Sequence, residues 1–134
     1  MYQRILVATD GRDGTRRAIA HAVTIADRFD ATLHALSVRV EGPYDTPEAA
    51  QRAAEEAVSS VEAEADDAGV DVHTEIRGGT PDEEILAYAE KADVDMIVVG
   101  TRGRSGLDRV IVGSIAEQVL RNADAPVVTV RTGE

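Results

Sequence analysis

Strand-like and helix-like patterns of apolar residues alternate along the whole chain. Arg4 to Thr9 is a short, nearly continuous apolar run and predicts strand 1. From about Asp13 to Phe29, Ala18, Ala22, Ile25, Ala26 and Phe29 recur at helical spacing and share one face of helix 1. Thr32 to Val40 predicts strand 2. Thr46-Pro47 then starts helix 2, with an N-cap followed by proline at the first helical position, where no backbone N–H is needed. Its stripe is Ala54, Val58, Val61, Ala65 and Ala68, and Gly69 closes it. Val70 to Arg77 predicts strand 3. Thr80-Pro81-Asp82-Glu83 has the form of a capping box opening helix 3. Asp95 to Val99 predicts strand 4, Ser114 to about Asn122 helix 4, and Pro126 to Arg131 strand 5.

Strands separated by helices imply a parallel sheet covered on both faces. Strand 4 is apolar throughout and strand 1 nearly so, as central strands require. Strand 3 alternates Val70, Val72, Thr74 and Ile76 with Asp71, His73, Glu75 and Arg77, which suits an edge. These cues fit an α/β fold: one doubly wound open sheet of five parallel strands, order 3-2-1-4-5, with helices on both faces. In that order the chain reverses direction between strands 1 and 4. Ligands of open α/β sheets bind in the crevice beyond the carboxyl ends of such strands, which places Asp10 and Gly100 at the expected site.

The 134 residues predict one domain over residues 1–134. The absence of cysteine excludes a disulfide framework and thiolate chemistry, and no protein-held metal is expected. No apolar run reaches membrane-spanning length and no charged-then-apolar leader opens the chain, so a cytoplasmic protein without a membrane partner is expected. His21, His34 and His73 are scattered away from the glycine-rich stretch, and no ligand role is expected of them. Fourteen basic residues, thirteen of them arginine, face 25 acidic ones, for a net charge of −11. Most of the surface would repel nucleic acid, so no nucleic-acid partner is expected. Acidic excess with almost no lysine also suggests a halophilic protein, because salt screens the mutual repulsion of carboxylates.

One segment departs from this charge balance. Gly100 to Ser114 carries Arg102, Arg104 and Arg109 against Asp108, a net +2 beside −13 for the rest of the chain. It contains Gly100, Gly103 and Gly113, follows strand 4, and leads into the first turn of helix 4. Glycines let the backbone approach an anion closely. The free amides and positive dipole end of a helix start favour negative charge there. The spacing fits neither a P-loop, which needs a lysine before its Ser/Thr, nor the dinucleotide fingerprint. Ser114 and Glu117 also have the Ser-x-x-Glu form of a capping box, so the Ser114 hydroxyl has a structural role open to it beside a phosphate contact.

The whole pattern, G-x2-G-x9-G-[ST], resembles the ATP-binding motif of the universal stress protein family. The flanks Val98 to Arg109, the ending Ala123 to Val130 and the opening Ile5 to Gly11 are similar to that family too. The resemblance implies a nucleotide-binding set of Ala8, Thr9, Asp10, Val38, Val99, Gly100, Thr101, Arg102, Gly103, Gly113, Ser114 and Ile115. In it Asp10 meets the ribose or a Mg²⁺ carried by ATP and the Val38 backbone meets the adenine edge, although Val38 by itself reads as core; Val99 and Ile115 flank the motif and pack against the nucleotide or, equally, against the sheet. Ala8 stands where the family often has proline. The implied ligand is ATP, or AMP or ADP, and the implied assembly is a homodimer through strand 5. No catalytic residue is identified. The leading reading is a nucleotide-occupied regulatory or protective stress-response module with unknown protein partners. The alternatives are a slow ATPase or nucleotide-transferring enzyme on the same scaffold, and a protein-interaction module without nucleotide.

Overall fold

A computed structural model describes residues 2–10, 15–39, 46–101 and 114–131. The elements run β1 Arg4–Ala8, α1 Arg16–Phe29, β2 Thr32–Arg39, α2 Pro47–Ala68, β3 Val72–Gly78, α3 Pro81–Ala92, β4 Met96–Thr101, α4 Ser114–Asn122 and β5 Val127–Arg131. All sheet pairings are parallel, and the strand order is β3-β2-β1-β4-β5, the order expected from the apolar pattern.

Strand alternation divides the core into two halves. Ile5, Val7, Leu33, Ala35, Met96, Val98 and Val130 pack with the buried faces of α1 and α2. Leu6, Leu36, Ile97 and Val99 point to the opposite side and pack with Ile85 and Tyr88 of α3 and Ala116 and Val119 of α4. Both faces of β1 and β4 are therefore covered, which is why those two strands read as continuous apolar runs.

The element ends follow local hydrogen bonding. Thr46 accepts the Ala49 amide at 3.0 Å, and Gly69 ends α2 in a left-handed conformation (φ 73°). The Val70 amide is taken by the Ala65 carbonyl in that cap (2.9 Å), so β3 starts at Val72 instead of Val70. Asp30 and Asp93 close α1 and α3 at positive φ. Thr80 occupies the N-cap of α3 but its side chain makes no cap bond, so the expected capping box does not form. Asp82, Glu83 and Glu84 still supply the negative charge that the helix start favours. Phe29 and Ala68, expected on buried stripes, are exposed. Phe29 sits at the last turn of α1 and packs edge-on against Tyr2 at 5.0 Å between ring centroids. Ala57 takes a buried place on α2 instead.

Polar groups fasten the amino-terminal ends of the strands. The Asp95 carboxylate accepts the amides of Gln3 and Arg4 at 2.7 and 2.9 Å. Those two bonds hold its carboxyl below the usual aspartate range. On the α3 side, His34 Nδ1 lies 2.7 Å from Tyr88 Oη. Burial, then the neighbouring His73 and Arg4, hold His34 below the usual imidazole range, and burial pushes the Tyr88 phenol up. The Arg77 guanidinium lies over the Tyr88 ring, 5.2 Å from its centroid.

Candidate functional site

The crevice at the carboxyl ends of β1 and β4 is assembled by the sheet order. Beyond Ala8, the Thr9 amide still donates to the Leu36 carbonyl (3.0 Å), so Thr9 continues along β2 after the β1 ladder has ended. Thr9 is buried, Ala8 is half-buried beside the α3/α4 core, and Asp10 is exposed at the rim. The Thr9 hydroxyl lies 3.1 Å from that of Thr15, which ties the end of β1 to the start of α1. Thr15 was not among the residues singled out from the sequence; two hydroxyls flanking a strand-to-helix connection are too common a pattern to signal it.

Across the crevice, Val99 is buried, and Gly100 and Thr101 are half-buried. Gly100 and Thr101 lie opposite Val130 and Arg131, so β4 extends two residues past its expected end by pairing with β5. Arg17 of α1 donates to the Arg131 carbonyl at 3.0 Å and closes that side. Val38 lies on β2 two residues beyond Leu36, the partner of Ala8, and packs at the margin of the α3/α4 core. Its position at the carboxyl rim puts it next to the end of β1.

Helix α4 begins at Ser114, as expected. Ile115 is exposed, while Ala116 and Val119 anchor the helix to the sheet. The Glu117 carboxylate reaches forward to Arg121 at 3.0 Å. Arg102, Gly103 and Gly113 lie outside the described residues, as does the side chain of Ser114. The structure thus brings Ala8, Thr9, Asp10, Val38, Val99, Gly100 and Thr101 to one edge of the sheet.

This edge gathers one carboxylate, Asp10, three threonine hydroxyls, two of them within hydrogen-bond distance of each other, and backbone groups at the switch point of an open sheet. Among the described residues no group of three or more His, Asp or Glu side chains is placed to hold a metal. An open hollow between Arg39 and the first turns of α2 lies on the other side of the sheet from Val38, and its lining mixes arginines with glutamates. It is not part of this crevice.

The model of the universal stress protein family matches residues 1–131. The chain belongs to the universal stress protein family. A universal stress protein of Methanocaldococcus jannaschii is 38% identical over 98% of this chain and 83% of its own length. Among solved structures, a universal stress protein from Archaeoglobus fulgidus superposes with a TM-score of 0.84 at 25% identity, covering 96% of this chain and 98% of that one. A universal stress protein solved in complex with cAMP gives a TM-score of 0.75 at 27% identity, covering 98% of both chains. Among the described residues no helix is long and apolar enough to cross a membrane.

Proposed function

We infer that this universal stress protein binds an adenine nucleotide, ATP or its mono- or diphosphate, in the crevice beyond β1 and β4. One observation carries this reading: the strand that ends in Gly100-Thr101 and the helix that begins at Ser114 flank the glycine-spaced segment at the switch point of the sheet. A family member of the same fold has an adenine nucleotide, cAMP, bound. Gly100, Gly103 and Gly113 approach the phosphates through backbone amides, with Ser114 and the start of α4 completing the anion site. Arg102 adds positive charge and Thr101 a hydroxyl. Asp10 receives the ribose hydroxyls, or a Mg²⁺ that arrives with ATP. Ala8, Thr9 and Val38 border the adenine, and Val99 and Ile115 border the phosphates. Nucleotide occupancy alters the segment between β4 and α4 and thereby the surface it presents to a protein partner. The chain acts as one regulatory unit in the cytoplasm.

The test is mass spectrometry of small molecules released from the purified protein, with calorimetry of ATP binding to wild type and Gly113→Val. A branched side chain where backbone must meet phosphate should lower ATP affinity at least tenfold, about 1.4 kcal/mol. Unchanged affinity in a folded Gly113→Val protein would overturn the placement of the phosphates.

A further inference from the structure

Two histidines that stand 39 residues apart in sequence meet on the sheet. His34 of β2 lies opposite His73 of β3 in the parallel register. The neighbours of His34, Leu33 and Ala35, point into the α1/α2 core, so both imidazoles stand on the face that α3 partly covers. Their ring centroids are 5.5 Å apart.

We propose that His34 and His73 form a two-imidazole chelate for a borderline transition-metal ion, with Zn²⁺ as its type. Zinc takes a histidine nitrogen at about 2.0–2.1 Å, and a ring radius of roughly 1.1 Å then puts each centroid ~3.2 Å from the ion. Two rings at a tetrahedral angle would have centroids about 5.2 Å apart, a few tenths of an ångström from the separation present. The backbone ladder already sets the two residues side by side on strands about 4.8 Å apart, so binding orders little more than one exposed ring, that of His73.

The surroundings favour this use. A histidine ligand is normally oriented by a bond from its other ring nitrogen. His34 Nδ1 lies 2.7 Å from Tyr88 Oη; with Nδ1–H donating, the Nε2 lone pair is left for the ion. The nearby cations do not oppose a metal alone. Arg4 faces Asp93 at 3.9 Å, and Arg77 faces Glu75 and Glu84 at 3.3 and 3.5 Å. Those ion pairs leave one carboxylate in excess. No third side-chain ligand converges on the pair among the described residues, so water fills the other coordination positions. Imidazole with water suits Zn²⁺, Ni²⁺ and Cu²⁺ and discriminates against Mg²⁺ and Ca²⁺, which prefer carboxylate and carbonyl oxygens.

The experiment is a calorimetric titration of chelator-stripped, nucleotide-free protein with Zn²⁺ in excess Mg²⁺, which occupies the surface carboxylates. One Zn²⁺ per chain is expected. His73→Ala removes an exposed side chain and should lower affinity at least tenfold. Tyr88→Phe keeps the ring and should weaken binding about tenfold by freeing the orientation of His34. In parallel, ¹⁵N spectra of the histidine side chains should show the ring signals of His34 and His73 shifting together as Zn²⁺ is added. Equal affinity in wild type and His73→Ala, no saturable heat, or a shift confined to one of the two rings would overturn the chelate.

Discussion

Asp95 ties the start of β4 to the start of β1, and its carboxylate is the clearest source of acid sensitivity in the fold. The two amides it accepts hold its folded pKa below the ordinary value. For a depressed carboxyl, the unfolded chain binds the proton more readily than the folded one. Its contribution is therefore present above the ordinary aspartate pKa and is lost as pH falls through the lower folded value. Asp95→Ala should cost roughly 1 kcal/mol near neutral pH, at the modest end for a solvent-exposed charged acceptor. Its urea midpoint should approach that of wild type in strong acid. An equal difference at pH 7 and in strong acid would refute the linkage. At the same scale, the site proposed for ATP predicts slow hydrolysis. Hydrolysis needs a positioned water and a group to orient it. No histidine or glutamate lies between Gly100 and Ser114, and Asp10 is assigned to ribose or metal. Backbone amides bind ground and transition state about equally, which yields affinity without rate. Single-turnover assays with labelled ATP should show hydrolysis far slower than bound-nucleotide exchange. A rate on the order of 1 per second that disappears in Asp10→Ala would make the protein an ATPase.

At the scale of elements, β5 is one of the two sheet edges. Among the described residues it pairs only with β4, and its outer backbone groups face away from the sheet. Val127 and Val128 are only half-buried, and α4, which packs over β4 and β5, exposes Ile115 and Leu120. A second copy pairing on β5 would cover this edge about a two-fold axis. Wild type should have a dimeric mass by light scattering, and Val128→Lys a monomeric one with an unchanged far-ultraviolet spectrum. A monomeric wild type at micromolar concentration in molar salt would exclude the pairing. Elements were also the scale at which the sequence was most legible. Continuous apolar runs at Ile5–Val7 and Met96–Val99 marked the doubly covered strands, and the alternation of β3 marked an edge; the observed order fits those two signals, and the family resemblance implied the rest. Element ends were less legible, because they depend on which amides are already taken: Val70 belongs to the cap of α2, and Thr80 sits at an N-cap without using its hydroxyl. The crevice was legible through Asp10 and Gly100 because topology alone places them. Thr15 and the His34–His73 pair were not, since both depend on contacts that only the folded register creates.

For the whole molecule, the charge balance predicts the condition under which it folds best. The net charge of −11 is unevenly spread, and α2 concentrates it: Pro47–Ala68 carries seven carboxylates and one arginine. Glu62 and Asp66 stand one helical turn apart, where like charges oppose each other. Asp66 and Asp67 lie in the last turn, which has no basic residue, at the negative end of the helix dipole. Folding brings these charges closer than the unfolded chain does, so their repulsion subtracts from stability. At low ionic strength that repulsion extends over tens of ångströms; in molar salt it is screened within about 3 Å. An exposed ion pair that salt would weaken, such as Arg121–Glu117, contributes little. The balance therefore favours salt: the thermal midpoint should rise between dilute buffer and molar KCl, by roughly 4 °C for each kcal/mol of relieved repulsion. Replacing Asp66 and Asp67 with asparagine should raise the midpoint in dilute buffer and shrink its salt response. Calorimetric scans at both ionic strengths measure this directly. A flat or falling midpoint in wild type would mean that the acidic surface is not what limits the fold at low salt.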